Sequence, residues 1–247
     1  MIISSPAIVL RVINYQETSL IATLLTWEHG KIAVMVRGAK RPKSSFSGLM
    51  EPGNILDTIY YYKQTRSVQT LKEASFRHKT FDIRTDVEKW AVGLSTAEMV
   101  MQLSHEHEIN HPMYEFAEKL FAWLNDTEQS VRAIFPYIQL RLAELMGTGL
   151  QMSTQLAESD WKDETLWLNI QSGMVDSQAL EDRQYRLSKK QAQYLKQAFS
   201  NHTAKILQLD ISKSELQELI RYLDAYLKYH IEGLRDRKSD VIFEQIL

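Results

Sequence analysis

Cysteine is absent from the 247-residue sequence, and glycine and proline are scarce, with nine and five residues. The lack of cysteine excludes a disulfide framework, a thiolate nucleophile and every zinc site built on cysteine ligands. No stretch approaches 18 uninterrupted apolar residues, and no basic leader precedes the first apolar stretch. We therefore expect neither a membrane span nor a secretory signal, and predict a folded cytoplasmic protein that is stabilised by packing.

The sequence motifs of several enzyme classes are missing as well. It contains no Walker-type glycine loop, GxGxxG, GxSxG or HExxH, so we predict that the protein is not an enzyme and needs no cofactor. The segment 105–111 holds three histidines and two glutamates. Histidines two positions apart point about 200° away from each other on a helix, so we expect a solvated polar corner and no metal site.

Charge is distributed unevenly between the two parts of the chain. Residues 1–80 carry 11 Lys and Arg against 5 Asp and Glu, a balance of +6, whereas residues 81–247 carry 18 against 26, a balance of −8. A basic module joined to an acidic one indicates that the first contacts polyanions and that the second does something else.

Five short segments rich in β-branched and aromatic residues fill the basic part, with turn residues between them. They span residues 6–15, 20–27, 31–37, 55–62 and 67–76. Five strands in this length fit a small closed barrel of the OB type, with an SH3-like barrel as the rival. We predict an α+β protein with a five-stranded OB-type barrel over residues 1–80, which forms a nucleic-acid-binding domain.

Helical periodicity begins after Phe81 and predicts a helical domain over residues 81–247. Apolar residues mark helices near 87–101, 111–124 and 130–146, and two later helices start with capping boxes, Ser188 with Gln191 and Ser212 with Glu215. Residues 150–187 break this pattern, because seven acidic residues and one basic residue lie between 158 and 182. We predict an irregular acidic insert there, with a short hairpin around 166–175.

The strongest local signal is the loop 38–48 between the third and fourth predicted strands. It combines three cations, Lys40, Arg41 and Lys43, with flanking glycines, hydroxyls and Phe46. Single-strand binding requires cations that contact the phosphates and an aromatic ring that stacks on a base. We predict DNA contacts at Lys40, Arg41 and Lys43, supported by Lys31 and Arg37 on the outward face of the third strand. A solvated surface loop is the alternative.

Residues 7–56 resemble the N-terminal barrel of the RecO family of bacterial recombination mediators. The resemblance is carried by LR-x3-Y-x-E at residues 10–17, LLT-x3-GK at 24–31 and RGA-K-x-P-K-S at 37–44. It continues weakly through LAELMGTG at 142–149 and returns at Arg237-Lys238-Ser239. Many family members place four cysteines in the segment that corresponds to 150–183, where this sequence has none.

The resemblance implies an OB-fold followed by a helical domain, with no catalytic step. It further implies binding to single- and double-stranded DNA and annealing of complementary strands in a nucleoid-associated protein. The implied partners are RecR, the acidic C-terminal tail of the single-stranded-DNA-binding protein and, indirectly, RecA. The missing cysteines put the zinc site of the family out of consideration.

An acidic tail that ends in an apolar residue needs an apolar groove bordered by cations. We predict this site on the helical domain, at Arg221 and Lys228 of the last helix, with Arg132 and Arg141 as reserve candidates. Two other functions stay open. One is an RNA-binding OB-fold accessory factor, since stacking and phosphate contacts do not distinguish the sugars, and the other is a scaffold that docks acidic proteins.

Overall fold

The structure, a computed structural model, describes residues 1–153, 165–179, 182–200 and 202–239. The chain divides into two compact units. Residues 1–128 and the returning segment 237–239 form the first unit, and residues 129–236 supply the second. In the described part of the chain, no helix combines the length and the apolar composition that a membrane crossing requires.

A five-stranded barrel forms the beginning of the first unit. Its strands are β1 (Ile2–Tyr15), β2 (Ser19–Thr26), β3 (Gly30–Val36), β4 (Ile55–Tyr61) and β5 (Val68–His78). They close in the order β1-β2-β3-β5-β4, with β3 and β5 parallel and the other pairs antiparallel. Alternate residues such as Val9, Leu24, Val34, Leu56 and Tyr60 fill the interior. The predicted OB-type barrel is confirmed.

Two helices complete the first unit, α1 (Val87–Leu103) and α2 (His111–Asp126). The Asp86 carboxylate caps α1 by accepting from the amide of Lys89, and α1 packs against β1. The Asn110 side chain caps α2 by accepting from the amide of Met113, as its position before Pro112 predicts.

The second unit contains four helices in its described part, α3 (Phe135–Leu145), α4 (Lys189–Phe199), α5 (Thr203–Leu207) and α6 (Lys213–His230). Both predicted capping boxes are present, at the starts of α4 and α6. The third predicted helix begins later than residue 130, because a 3-10 turn at Arg132–Ile134 precedes α3 and Pro136 occupies its first turn. The five-residue α5 is too short to show a period in the sequence.

The predicted irregular insert is more regular than its sequence indicates. Its strands β6 (Gln151–Met152), β7 (Leu166–Asn169), β8 (Met174–Asp176) and β9 (Gln184–Leu187) form a sheet in the order β6-β8-β7-β9. The predicted hairpin is the β7–β8 pair, and the sheet as a whole was not predicted. Most of the acidic residues behind the prediction, at 158, 160, 163, 164 and 181, lie outside the described residues.

Candidate nucleic-acid interface

The cationic loop leaves β3 at Arg37 and runs through consecutive tight turns to β4. The amide of Arg41 donates to the carbonyl of Gly38 at 3.1 Å, and that of Ser44 donates to the carbonyl of Arg41 at 3.1 Å. The amide of Lys40 also donates to the carbonyl of Thr18, in the β1–β2 connection, at 3.0 Å. These bonds fix the backbone of the loop and tie it to the neighbouring connection.

The end of the loop is anchored in the barrel interior. Leu49 and Met50 are buried in the barrel core, and the Asn54 side-chain amide donates to the carbonyls of Gly48 and Leu49 at 2.9 Å each. Phe46 is half-buried and packs against the same core. The Phe46 ring thus contributes to the anchor, and its stacking on bases stays a prediction.

Four cationic residues lie on this anchored loop and at its start. Arg37, Lys40, Arg41 and Lys43 are all exposed, within seven consecutive positions. None of them is paired with a carboxylate among the described residues. Lys43 adopts a left-handed backbone conformation, with φ of 63°, which is uncommon for residues other than glycine. A held backbone with unpaired cations is suited to binding phosphates, because few carboxylates compete for them.

Lys31 lies apart from these four cations, at the other end of β3. The seven residues of β3 span about 20 Å from one end to the other. The Lys31 ammonium donates to the carbonyl of Met101, at the end of α1, at 2.8 Å. Burial lowers the pKa of Lys31, while the nearby Glu106 carboxylate opposes the shift. This placement does not support the predicted phosphate contact of Lys31, which instead joins the β2–β3 hairpin to α1.

The predicted polar corner at residues 105–111 is docked onto the barrel. His111 stacks on Trp27 with ring centroids 3.9 Å apart, and the Tyr62 hydroxyl lies 3.4 Å from Nδ1 of His107. The amide of His107 donates to the carbonyl of Lys31 at 3.0 Å. Residues 105–109 are solvent-exposed, as expected, but their backbone contacts the β2–β3 hairpin and the His111 ring packs on Trp27.

Burial also shifts two ionisable groups beneath this corner. The Nδ1 atom of His29 lies 2.9 Å from the hydroxyl of Tyr60. Burial lowers the pKa of His29, and burial raises the pKa of Tyr60 to about 12. Both groups are therefore held in their neutral forms near pH 7.

The residues of this chain do not fit the cysteine zinc site that the resemblance implies for many members of that family. The sequence supplies no thiolate. Among the described residues, no three His, Asp or Glu side chains converge in a way that could hold a metal ion. In the corresponding segment, strands β6 to β9 are held by backbone pairing and by buried residues such as Leu168 and Val175.

In the basic stretch 235–238, Arg237 is buried, whereas Arg235 and Lys238 are exposed. Arg237 is only 7% exposed and its guanidinium donates to the sulfur of Met99 at 3.5 Å. The Glu98 carboxylate accepts from the amides of Lys238 and Ser239, at 2.9 and 3.1 Å, and from the Ser239 hydroxyl at 3.0 Å. Sequence analysis missed this clamp, because only the fold brings residues so distant in sequence together.

The second unit contains a cavity of about 360 Å³ beside α3, which Arg141 lines together with Tyr137, Leu140, Leu150 and Phe199. Arg141 also forms an ion pair with Glu144, one turn along the helix. Of the four cations predicted for the partner tail, Arg141 is the one that lines this cavity. Arg221 is exposed on α6, Lys228 is paired with Asp236, and Arg132 lies in the turn before α3.

Comparison with known proteins agrees with this architecture. The family model described as "Recombination protein O N terminal" matches residues 1–79, and "Recombination protein O C terminal" matches residues 84–240. The chain is 29% identical to the DNA repair protein RecO of Salinibacter ruber, over 99% of this chain and 94% of the relative. It is 26% identical to that of Chloroherpeton thalassium, over the full length of both. The chain belongs to the RecO family of DNA repair proteins.

Proposed function

We propose that this RecO-family protein binds single- and double-stranded DNA through the barrel, over residues 1–80. The observation that carries the proposal is the anchored loop with four exposed cations, Arg37, Lys40, Arg41 and Lys43. Cations on a fixed backbone bind phosphates whatever the base sequence, by displacing the counterions of the nucleic acid. Contacts of this kind suit a protein that must act at any damaged site.

The proposed role is that of a recombination mediator without a catalytic step. The protein holds complementary strands by their phosphates, which reduces their repulsion and favours annealing. With RecR it helps RecA to replace the single-stranded-DNA-binding protein. Membership of the RecO family supports this role, and no cofactor takes part in it.

The salt dependence of binding tests the loop contacts. Removing one cation that binds a phosphate of a single strand should flatten the log–log salt slope by about 0.7, so replacing Lys40, Arg41 and Lys43 together by alanine should reduce the slope by about 2. A control variant removes three exposed lysines elsewhere, Lys119, Lys205 and Lys213. Fluorescence anisotropy with a labelled oligonucleotide at several salt concentrations measures both.

Two results would argue against this proposal. Equal changes in the loop variant and in the control would mean that only net charge matters, and an unchanged slope in the loop variant would place the phosphate-binding cations elsewhere. The same titration with an RNA strand of matched sequence distinguishes DNA binding from the alternative function in RNA binding. Tighter binding to RNA would favour an RNA-binding accessory factor.

We further propose that the cavity beside α3 receives the acidic tail of the single-stranded-DNA-binding protein. Tyr137, Leu140, Leu150 and Phe199 offer an apolar lining for a terminal apolar side chain. Arg141 supplies the cation for the carboxylate. Its present partner Glu144 also lines the cavity, but this solvent-accessible ion pair contributes little, so Arg141 can exchange Glu144 for the incoming carboxylate.

Titration of a synthetic acidic tail peptide tests this site. Arg141→Ala should weaken peptide binding about tenfold, the usual scale for losing a charge-assisted hydrogen bond, and should leave DNA affinity unchanged. Arg221→Ala is the matched control, because this arginine is exposed on α6 and does not line the cavity. Loss of peptide binding in Arg221→Ala alone would move the site to α6.

A further inference from the structure

A basic segment interrupts the acidic part of the chain. Residues 183–209 carry six Lys and Arg and no Asp or Glu. The other residues of the range 81–247 carry 12 Lys and Arg against 26 Asp and Glu. Cations that are concentrated within an otherwise acidic part of a chain indicate a surface that contacts a polyanion.

Helix α4 arranges part of this segment as a polar stripe. Residues three and four positions apart share one side of a helix. On α4 and its C-cap this spacing aligns Lys189, Gln193, Lys196 and Ser200. Lys196 is half-buried and the other three are exposed, whereas Tyr194 and Leu195 on the opposite side are buried. The stripe therefore faces solvent.

Arg186 of β9 extends the stripe beyond the start of α4. Its exposed side chain lines the same cavity as Lys189. Glu218 of α6 also lines this cavity, and its carboxylate accepts from the Gln191 side-chain amide at 3.4 Å. This carboxylate is thus bonded to the first turn of α4 and is not part of the stripe. We refer to the stripe and Arg186 together as the basic face.

The spacing on the basic face suits the phosphates of one strand. Lys189 and Lys196 lie seven residues apart, about 10 Å along the helix axis. Charges on one strand of a stacked nucleic acid repeat every 3.4 Å or so, and about three such steps separate the two lysines. Between them, the Gln193 amide can donate to a phosphate oxygen, and so can the Ser200 hydroxyl beyond Lys196.

We infer that the basic face binds a second strand of DNA by its phosphates, with the bases directed outward. The barrel loop holds one strand, and α4 presents the other. The basic face contains no aromatic ring on which a base could stack, so the base edges stay free to pair. This inference rests on the proposed DNA-binding function and gives the proposed annealing its second site.

The composition of the basic face favours nucleic acid over an acidic protein. Specific protein interfaces have a core of apolar and aromatic side chains. The basic face consists of cations, an amide and a hydroxyl, and it offers a protein partner no apolar side chain to bury. A phosphate backbone needs only the cations and the hydrogen-bond donors.

The test counts strands on each chain and follows annealing. The face variant Arg186→Gln, Lys189→Gln, Lys196→Gln removes three charges and keeps a residue that helices accept. The control Lys119→Gln, Lys213→Gln, Arg221→Gln removes three charges at exposed positions outside the basic face.

Native mass spectrometry with an oligothymidylate too short to span two sites counts the strands bound per chain. Fluorescence transfer between labelled complementary oligonucleotides measures the annealing rate. Circular dichroism melting shows that each variant folds.

The wild type and the control should bind two strands per chain, and the face variant should bind one. Annealing should slow about tenfold in the face variant, the usual scale for losing charge-assisted contacts, and should stay unchanged in the control. The affinity for the remaining strand should not change, because the barrel loop is intact.

One strand per wild-type chain would overturn the inference. Unchanged annealing in the face variant would also overturn it and leave the basic face to an acidic protein, and equal losses in the control would reduce the effect to net charge. Wild-type protein that binds no DNA would refute the proposed DNA-binding function itself, whereas loop-dependent binding of a single strand would refute only the inference.

Discussion

Replacing Gly30 by alanine should destabilise the first unit far more than the same change at Gly48. Both glycines have a positive φ, 59° and 73°. A Cβ atom at Gly30 would lie 1.8 Å from the carbonyl oxygen of Glu108, whereas nothing lies within 4 Å of the corresponding position at Gly48. Both substitutions therefore force alanine into a left-handed backbone conformation, and only Gly30→Ala adds a steric clash.

The expected loss of unfolding free energy depends on which atoms must move to accept the new Cβ. Left-handed backbone costs about 1–2 kcal/mol for alanine at either position. At Gly30 the Glu108 backbone must also retreat by about 1.5 Å to reach an ordinary contact distance. That movement strains the hydrogen bond from His107 to Lys31 and the tie from Lys31 to Met101, each contributing about 1 kcal/mol. We expect a loss of about 3 kcal/mol for Gly30→Ala and about 1 kcal/mol for Gly48→Ala.

Urea denaturation of both variants, followed by circular dichroism, measures the difference. The entropy that alanine removes from the unfolded chain is the same in both, so it cancels in the comparison. Equal losses of stability would refute the claim that the segment 105–109 is docked on the β2–β3 hairpin.

Three further outcomes follow from the described contacts. Elemental analysis after gel filtration should find far less than one zinc per chain, and one zinc per chain would require a site without thiolates. Burial lowers the pKa of His29 below 6.5, so the unfolded chain takes up that proton first as pH falls. Stability should therefore be lost below about pH 6.5, and His29→Gln should make the melting temperature depend less on pH between about pH 7 and pH 5; an equally steep dependence in the variant would contradict the burial of His29. Glu98→Ala should release the segment 237–239, so amide exchange at Lys238 and Ser239 should become faster and the free energy of opening should fall by about 1.5–3 kcal/mol. Glu98→Gln should have an intermediate effect, and unchanged exchange would contradict the clamp.

The barrel was predictable because its strands are long enough to show alternation. Ile32, Val34 and Val36 point inward in β3, as their spacing predicts, and the loop after them lies between strands as expected. The helix starts were predictable for a local reason, since Asn110, Ser188 and Ser212 each bond to an amide three residues on. The sheet β6–β9 was not, because strands of two to four residues carry no readable period.

The candidate site was predictable in its loop and not in its surroundings. Lys31 is on the outward face of β3, as predicted, but only the fold shows that the end of α1 covers it. Phe46 turns toward the barrel core because the loop folds back on itself. The cavity at Arg141 depends on Leu150 and Phe199, which are distant from α3 in sequence. Such convergence is a property of tertiary structure.

Hydrogen–deuterium exchange, with and without a saturating single-stranded oligonucleotide, tests the central claim most directly, because it locates the DNA-binding surface without any substitution. The DNA-binding proposal predicts slower exchange in peptides that cover the loop 38–48 and β3, with little change across α5 and α6. Protection confined to the second unit, with none in the loop, would contradict it.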